Sequence, residues 1–107
     1  MVRFDPSEGT EYKKTRPAVL VNESTIGWGT LRIVVPITEW NKRYEILPWF
    51  VQLKPTARNG LTKESGADPA QVKSLSVTRL ERKIGSVTAS ELEEIVAGVA
   101  LCIGYEE

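Results

Sequence analysis

Leu31-Arg32-Ile33-Val34-Val35-Pro36-Ile37 is an apolar run rich in β-branched residues, with the Gly27-Trp28-Gly29 punctuation upstream. This is the pattern of a buried strand. Shorter runs of the same kind lie on either side of it. Val2 to Phe4 is a stub of strand, followed by a loop from Asp5 to Lys14 that contains Pro6 and Gly9. Pro17-Ala-Val-Leu-Val21 begins with a proline, as a strand start tolerates. Glu45 to Leu53 supplies Ile46, Leu47, Trp49, Phe50 and Val51, with Pro48 within it, and reads as another strand. Pro55 to Pro69 is loop-like, with Asn59-Gly60 as its turn signal. Gln71 to Ser76 alternates as a strand does, and Lys83 to Val87 is a further candidate.

The end of the chain changes period. Thr88-Ala-Ser-Glu91 has the form of a capping box, in which the Thr88 hydroxyl accepts from the Glu91 amide while Glu91 reaches back. Leu92, Ile95, Val96, Val99 and Ile103 then recur at helical spacing, Glu93 and Glu94 take the opposite face, and Gly104 offers a stop. Short strands followed by one amphipathic helix predict a mainly β barrel covered by that helix. With 107 residues the chain fits one domain, 1–107, without internal repeats. The polar, proline-containing start does not read as a signal peptide, and no apolar run reaches the roughly 20 residues of a membrane span. The lone cysteine, Cys102, precludes an internal disulfide and fits a reducing compartment, so a cytoplasmic location is expected. Set among apolar helix residues, Cys102 reads as inert packing.

Charge is unevenly spread. All 14 Lys and Arg precede residue 84, whereas five of the 14 acids follow it, so a basic body carries an acidic tail segment. The net charge of zero therefore argues neither for nor against an anionic partner. The chain has no histidine, which excludes imidazole acid–base chemistry and histidine metal ligands. With Asp only at 5 and 68, scattered Glu and one Cys, no metal site or other cofactor site is expected. Catalysis, if any, falls to Arg, Lys, Glu, Thr, Ser or Tyr.

Three segments draw attention together: Gly9-Thr10-Glu11 with Thr15-Arg16-Pro17, then Pro36-Ile37-Thr38, then Gln71-Val72-Lys73. Taken singly, each has an ordinary reading. Arg16 before a proline is an extended strand entrance. Thr38 at a strand end bonds to a turn amide. Glu11 is a loop carboxylate and Gln71 a strand-edge amide.

Their order resembles the MazF/PemK toxin family. The resemblance runs through Gly9-Thr10-Glu11, Arg16-Pro17-Ala-Val-Leu-Val21 and Ile33-Val-Val-Pro-Ile-Thr38, and on through Gln71-Val72-Lys73, Arg79-Leu80, Lys83-Ile84-Gly85 and Ser90-Glu-Leu-Glu-Glu94. It thus spans nearly the whole chain. Two departures stand out: only Met1 to Phe4 precedes Asp5-Pro6 where the family has a longer first strand, and Gly66-Ala-Asp-Pro-Ala70 replaces an apolar strand, so a loop is expected there.

The resemblance implies a small SH3-like barrel of the MazF/CcdB/Kid type with a C-terminal amphipathic helix. It implies a homodimer that cleaves single-stranded RNA sequence-specifically and without metal. The ribose 2′-hydroxyl would attack the adjacent phosphate and leave a 2′,3′-cyclic phosphate. A cognate antitoxin would inhibit the enzyme by laying an acidic tail across the groove. In that scheme Arg16 pairs the phosphoryl oxygens, since a planar guanidinium meets two at once, and Thr38 donates a further hydrogen bond. Glu11 is the candidate base. Arginine stays protonated, so Arg16 is an electrostatic stabiliser, and water or protonated Glu11 completes the transfer to the leaving oxygen. Thr10, Lys13, Lys14, Trp40, Lys42, Arg43, Gln71 and Lys73 are the RNA-binding candidates, because backbones follow cations and splayed bases stack on aromatic faces. Lys42 and Arg43 also fit a merely solvated turn, and Trp28 and Trp49 fit core or interface anchors. Two other classes stay open: a toxin of this fold that acts on a protein, as the gyrase poisons do, and a non-catalytic SH3-like nucleic-acid-binding module.

Overall fold

The structure is a computed structural model and describes residues 1–4, 14–21 and 31–104. Seven strands precede one helix in the described chain: β1 (Val2–Phe4), β2 (Lys14–Arg16), β3 (Ala18–Leu20), β4 (Leu31–Glu39), β5 (Val51–Leu53), β6 (Ser65–Ala67), β7 (Lys73–Ser76) and α1 (Ala89–Cys102). Together they form a curled, mainly β antiparallel half-barrel closed by the C-terminal helix, as the strand and helix patterns predict.

β4 is the spine. One edge takes β3 through Ala18↔Pro36 and Leu20↔Val34; the other takes β7 along Leu31 to Val34 and β6 along Ile37 to Glu39, with β5 beyond β6. β1 and β2 form a separate antiparallel pair, and Val2 bridges back to Leu80. Val34 and Val35 both have 0% exposure, so both faces of the spine are covered at its middle, which is why alternation is lost there. Val19, Val35, Ile37, Val51, Leu53, Ala67 and Ile95 make one core, in which the sheet's inner face meets the helix.

The facing chain does not follow β4 residue for residue. While β4 runs three residues back from Ile37 to Val34, its partner advances six, from Ala67 to Lys73. The surplus is expelled as a one-turn 3-10 helix, Pro69–Gln71, capped by Asp68. Pro36 explains why this costs little. Its carbonyl takes the Asp68 N–H at 3.0 Å, so its missing donor faces the bulge, where the ladder is already broken.

Several expectations are corrected here. Ser65–Ala67 is a strand, not loop, and lies between β4 and β5. Glycine at 66 suits what covers it, since a Cβ there would lie a tight 3.0 Å from Trp40 Cε3. Glu45–Leu53 is not one strand. Lys42–Ile46 coils into a 3-10 turn capped by Asn41, and only Val51–Leu53 pairs. Strand structure at Gln71–Ser76 begins only at Lys73, and Lys14 already belongs to β2. Lys83–Val87 forms no ladder, although Ser86 N–H donates to the Arg58 carbonyl at 2.9 Å.

The capping box stands as read: Glu91 N–H donates to Thr88 Oγ1 at 3.1 Å, and Thr88 N–H to Glu91 Oε1 at 2.8 Å. The helix buries less of its apolar stripe than its periodicity implies. Ile95 and Gly98 are buried, whereas Leu92, Val96 and Ile103 are exposed. Gly98 sets the inner contact, because a Cβ there would lie 2.7 Å from both Pro69 Cγ and the Trp49 carbonyl oxygen. Cys102 is exposed rather than packed, because the last turn runs past the end of the core. Among the described residues no helix is long and apolar enough to cross a membrane.

Candidate active site

Alternation along β4 sends Val35 and Ile37 to the core, and Pro36, Thr38 and, just beyond the strand end, Trp40 to the other face. On that face an open cavity of about 450 Å³ is lined by Arg16, Pro36, Ile37, Thr38, Tyr44, Phe50, Asp68, Gln71 and Lys73. Five segments distant in sequence converge. Arg16 ends β2 immediately before Pro17, whose carbonyl accepts from Ile37 N–H at 3.0 Å; this bond pins the arginine's backbone beside the far end of β4. Arg16 is exposed, and among the described residues no carboxylate forms a salt bridge with it. Thr38 is half-buried opposite Gly66 in the ladder.

The bulge builds the opposite wall. Asp68 Oδ1 accepts from Ala70 N–H at 3.2 Å, and Oδ2 accepts from Gln71 Nε2 at 3.0 Å. The third wall is aromatic. Tyr44 and Phe50 stack at 4.1 Å with 7° between their planes, and Trp40 meets both edge-on, at 5.7 and 6.2 Å. Arg43 caps the outer side of Tyr44, 5.6 Å from its centroid.

Of the sequence candidates, Arg16, Thr38, Gln71 and Lys73 therefore share one cavity. Trp40, Lys42 and Arg43 do not line it. Trp40 lies over Gly66 and supports the aromatic pair, while Lys42 and Arg43 are exposed on the neighbouring turn. Glu11, Thr10 and Lys13 lie outside the described residues, and Lys14 occupies the first position of β2. Tyr44, Phe50 and Asp68 were not foreseen. Asp68-Pro69 is a turn-initiating pair and could have flagged the bulge; nothing in the spacing of Phe50 announces its role. Cations at Arg16 and Lys73 with one fixed carboxylate suit an anion flanked by polar, hydrogen-bonding groups, with a flat apolar surface beside them. Among the described residues no group of His, Cys, Asp and Glu could hold a metal ion. Local desolvation and then the Asp68 charge push the Cys102 thiol above its usual range.

A family model described as PemK-like, MazF-like toxin of type II toxin-antitoxin system matches residues 1–103. The chain is 34% identical over 101 residues to Endoribonuclease MazF9 of Mycobacterium tuberculosis (strain ATCC 25618 / H37Rv), an alignment that covers 88% of this chain and 82% of that one. Its fold is shared by several solved structures, among them these two. One is the Mycobacterium tuberculosis toxin MazF-mt6, with a TM-score of 0.69 at 22% identity over 86% of this chain and 89% of that one. The other is an endoribonuclease in complex with its cognate antitoxin from a mycobacterial species, with a TM-score of 0.71 at 18% identity, covering 99% and 92%.

Proposed function

The chain belongs to the PemK-like, MazF-like toxin family of type II toxin–antitoxin systems, and from that premise we propose that it is an endoribonuclease that cuts single-stranded RNA sequence-specifically and without a metal. The observation that carries this reading is that exposed Arg16 and half-buried Thr38 line one open cavity of about 450 Å³. The 34% identity to an endoribonuclease supports it.

A phosphodiester seated between these side chains meets two guanidinium donors and one hydroxyl. Attack by the ribose 2′-hydroxyl gathers negative charge on the non-bridging oxygens. Donors already aimed at that charge lower the barrier without reorganising. Glu11 takes the 2′-proton, and water or the protonated Glu11 returns one to the departing 5′-oxygen. The products are a 2′,3′-cyclic phosphate and a free 5′-hydroxyl. Lys73 adds positive potential along the backbone path, and Tyr44 and Phe50 add apolar contact for a splayed base. The active form is a cytoplasmic homodimer, and the exposed apolar residues Leu20, Leu31 and Ile33 on the sheet and Leu92 and Val96 on α1 suit burial against a second copy. A cognate antitoxin with an acidic tail competes for the Arg16 and Lys73 positions.

The test is incubation with a long unstructured RNA in EDTA. Fragments bearing 2′,3′-cyclic phosphate are expected. Arg16→Ala, with unchanged thermal unfolding, loses about 100- to 1,000-fold in rate, the cost of one well-placed oxyanion donor. Intact RNA, or an Arg16→Ala variant that cuts normally, refutes the assignment and moves the chain toward a protein-directed toxin or a binding module.

A further inference from the structure

Gln71 is held in a way that its own backbone does not require. Its Nε2 donates to Asp68 Oδ2 at 3.0 Å, while the other Asp68 oxygen is occupied by Ala70 N–H at 3.2 Å. A carboxylate can only accept, so the amide must turn its nitrogen to Asp68 and its carbonyl oxygen away. Both residues line the cavity that holds Arg16 and Thr38, Gln71 exposed and Asp68 half-buried. The bulge thus brings to the cavity two side chains with acceptor capacity to spare, Gln71 through Oε1 and Asp68 through its unused lone pairs, and Lys73 lines the same cavity.

We infer that Asp68 and Gln71 form a base-reading subsite that selects a nucleobase carrying an exocyclic amine and rejects uracil, with Gln71 the specificity-determining residue and Asp68 its positioning residue. The inference rests on the RNA-cleaving reading above and names what that same site reads. Adenine and cytosine each offer an amine with two N–H donors, and guanine offers two adjacent donors on one edge. Uracil offers one donor flanked by two carbonyl oxygens, which meet these acceptors unfavourably. The stacked Tyr44 and Phe50 line the same cavity and add apolar contact for the base.

The experiment separates recognition from cleavage. A random-sequence RNA pool with 2′-fluoro riboses, which lacks the attacking hydroxyl, is equilibrated with the full-length protein, and the retained molecules are sequenced. The wild-type protein is expected to deplete uracil at one position of the bound motif about 10- to 100-fold, the discrimination of a good two-bond contact. In Asp68→Asn the side-chain oxygen still caps Ala70 and the new amide faces Gln71. Gln71 must then flip, and it presents N–H to the base instead. Uracil depletion should vanish or invert at that position while the unfolding temperature holds. Gln71→Ala, at an exposed position, should abolish the depletion whatever Asp68→Asn does to folding. No uracil depletion in the wild-type protein, no retention of the pool, or the same depletion in a folded Asp68→Asn or Gln71→Ala overturns the inference. Uracil-depleted binding without cleavage of native RNA leaves it standing and removes the nuclease reading; cleavage without base preference does the reverse.

Discussion

Enlarging Gly98 tests whether the helix holds the bulge in place. A Cβ at 98 would lie 2.7 Å from Pro69 Cγ and 2.7 Å from the Trp49 carbonyl oxygen, where ordinary contacts are 3.4 Å or more. Neither neighbour is the free end of a flexible side chain, so α1 must move outward. Overpacking of this kind costs about 1–3 kcal/mol. Against it, replacing a helical glycine with alanine returns about 1 kcal/mol of backbone propensity, and with valine about half that. Gly98→Ala should therefore lose about 1 kcal/mol, and Gly98→Val about 2 kcal/mol or slightly more. For a domain of this size 1 kcal/mol corresponds to about 4–8 °C, so thermal unfolding followed by far-ultraviolet circular dichroism resolves the series. Ala97→Val, one residue away at an exposed position, supplies the control, with a change within about 0.5 kcal/mol. If Gly98→Val unfolds at or above the wild-type temperature, the helix is not seated on Pro69, and the close approach has no energetic meaning.

Two further outcomes concern Asn59 and Cys102, which do not line the cavity. Asn59 is 6% exposed, yet it donates to the Lys54 carbonyl and accepts from the Thr56 and Leu61 N–H groups. Asn59→Ala should cost about 2–3 kcal/mol in urea unfolding because it orphans those groups, and a loss under 0.5 kcal/mol would show that water replaces them without penalty. Cys102 is exposed, but its thiol is shifted upward by desolvation and by Asp68, so the thiolate fraction at neutral pH falls below that of a free cysteine. Iodoacetamide alkylation should rise with pH through a midpoint above that of a cysteine peptide, and Asp68→Asn should move that midpoint down; a midpoint at or below the peptide's contradicts the direction.

The parts of the fold legible in the sequence are those decided by neighbours along the chain. Thr88 and Glu91 close their capping box within four residues, and the Leu31–Ile37 run needs only its own composition to be a strand. Ser65–Ala67 could not be read this way. Its glycine is disfavoured in isolation and finds its use only because Trp40, 26 positions earlier, lies closely across it. Glu45–Leu53 misled for the converse reason: apolar residues accumulate there, but Tyr44 and Phe50 are used by each other's faces rather than by a ladder. In the site, Arg16, Thr38, Gln71 and Lys73 were found as separate motif members, and the structure gives them a common cavity. Asp68 stayed hidden because its part depends on a hydrogen bond to Gln71, a geometry that only the 3-10 turn creates.

That turn also explains why the site and the core cannot vary independently. Pro36 withholds a donor from the middle of the spine, which lets the partner strand expel the segment 68–72. Once expelled, the segment would leave Pro69 projecting from the sheet. It is buried instead, because α1 comes down on it at Gly98. The helix in turn is held by Ile95, which has 0% exposure and lies three residues earlier in the core formed by Val35, Ile37 and Leu53. A single mechanical chain therefore runs from a core isoleucine through a glycine contact to the carboxylate and amide that face the cavity. Displacing the helix should then loosen Asp68 and Gln71 before it disturbs Arg16, whose backbone is tied to β4 through the Pro17 carbonyl. In Gly98→Val, base preference should weaken before cleavage fails, and equal loss of both would argue that the two walls of the cavity move as one body.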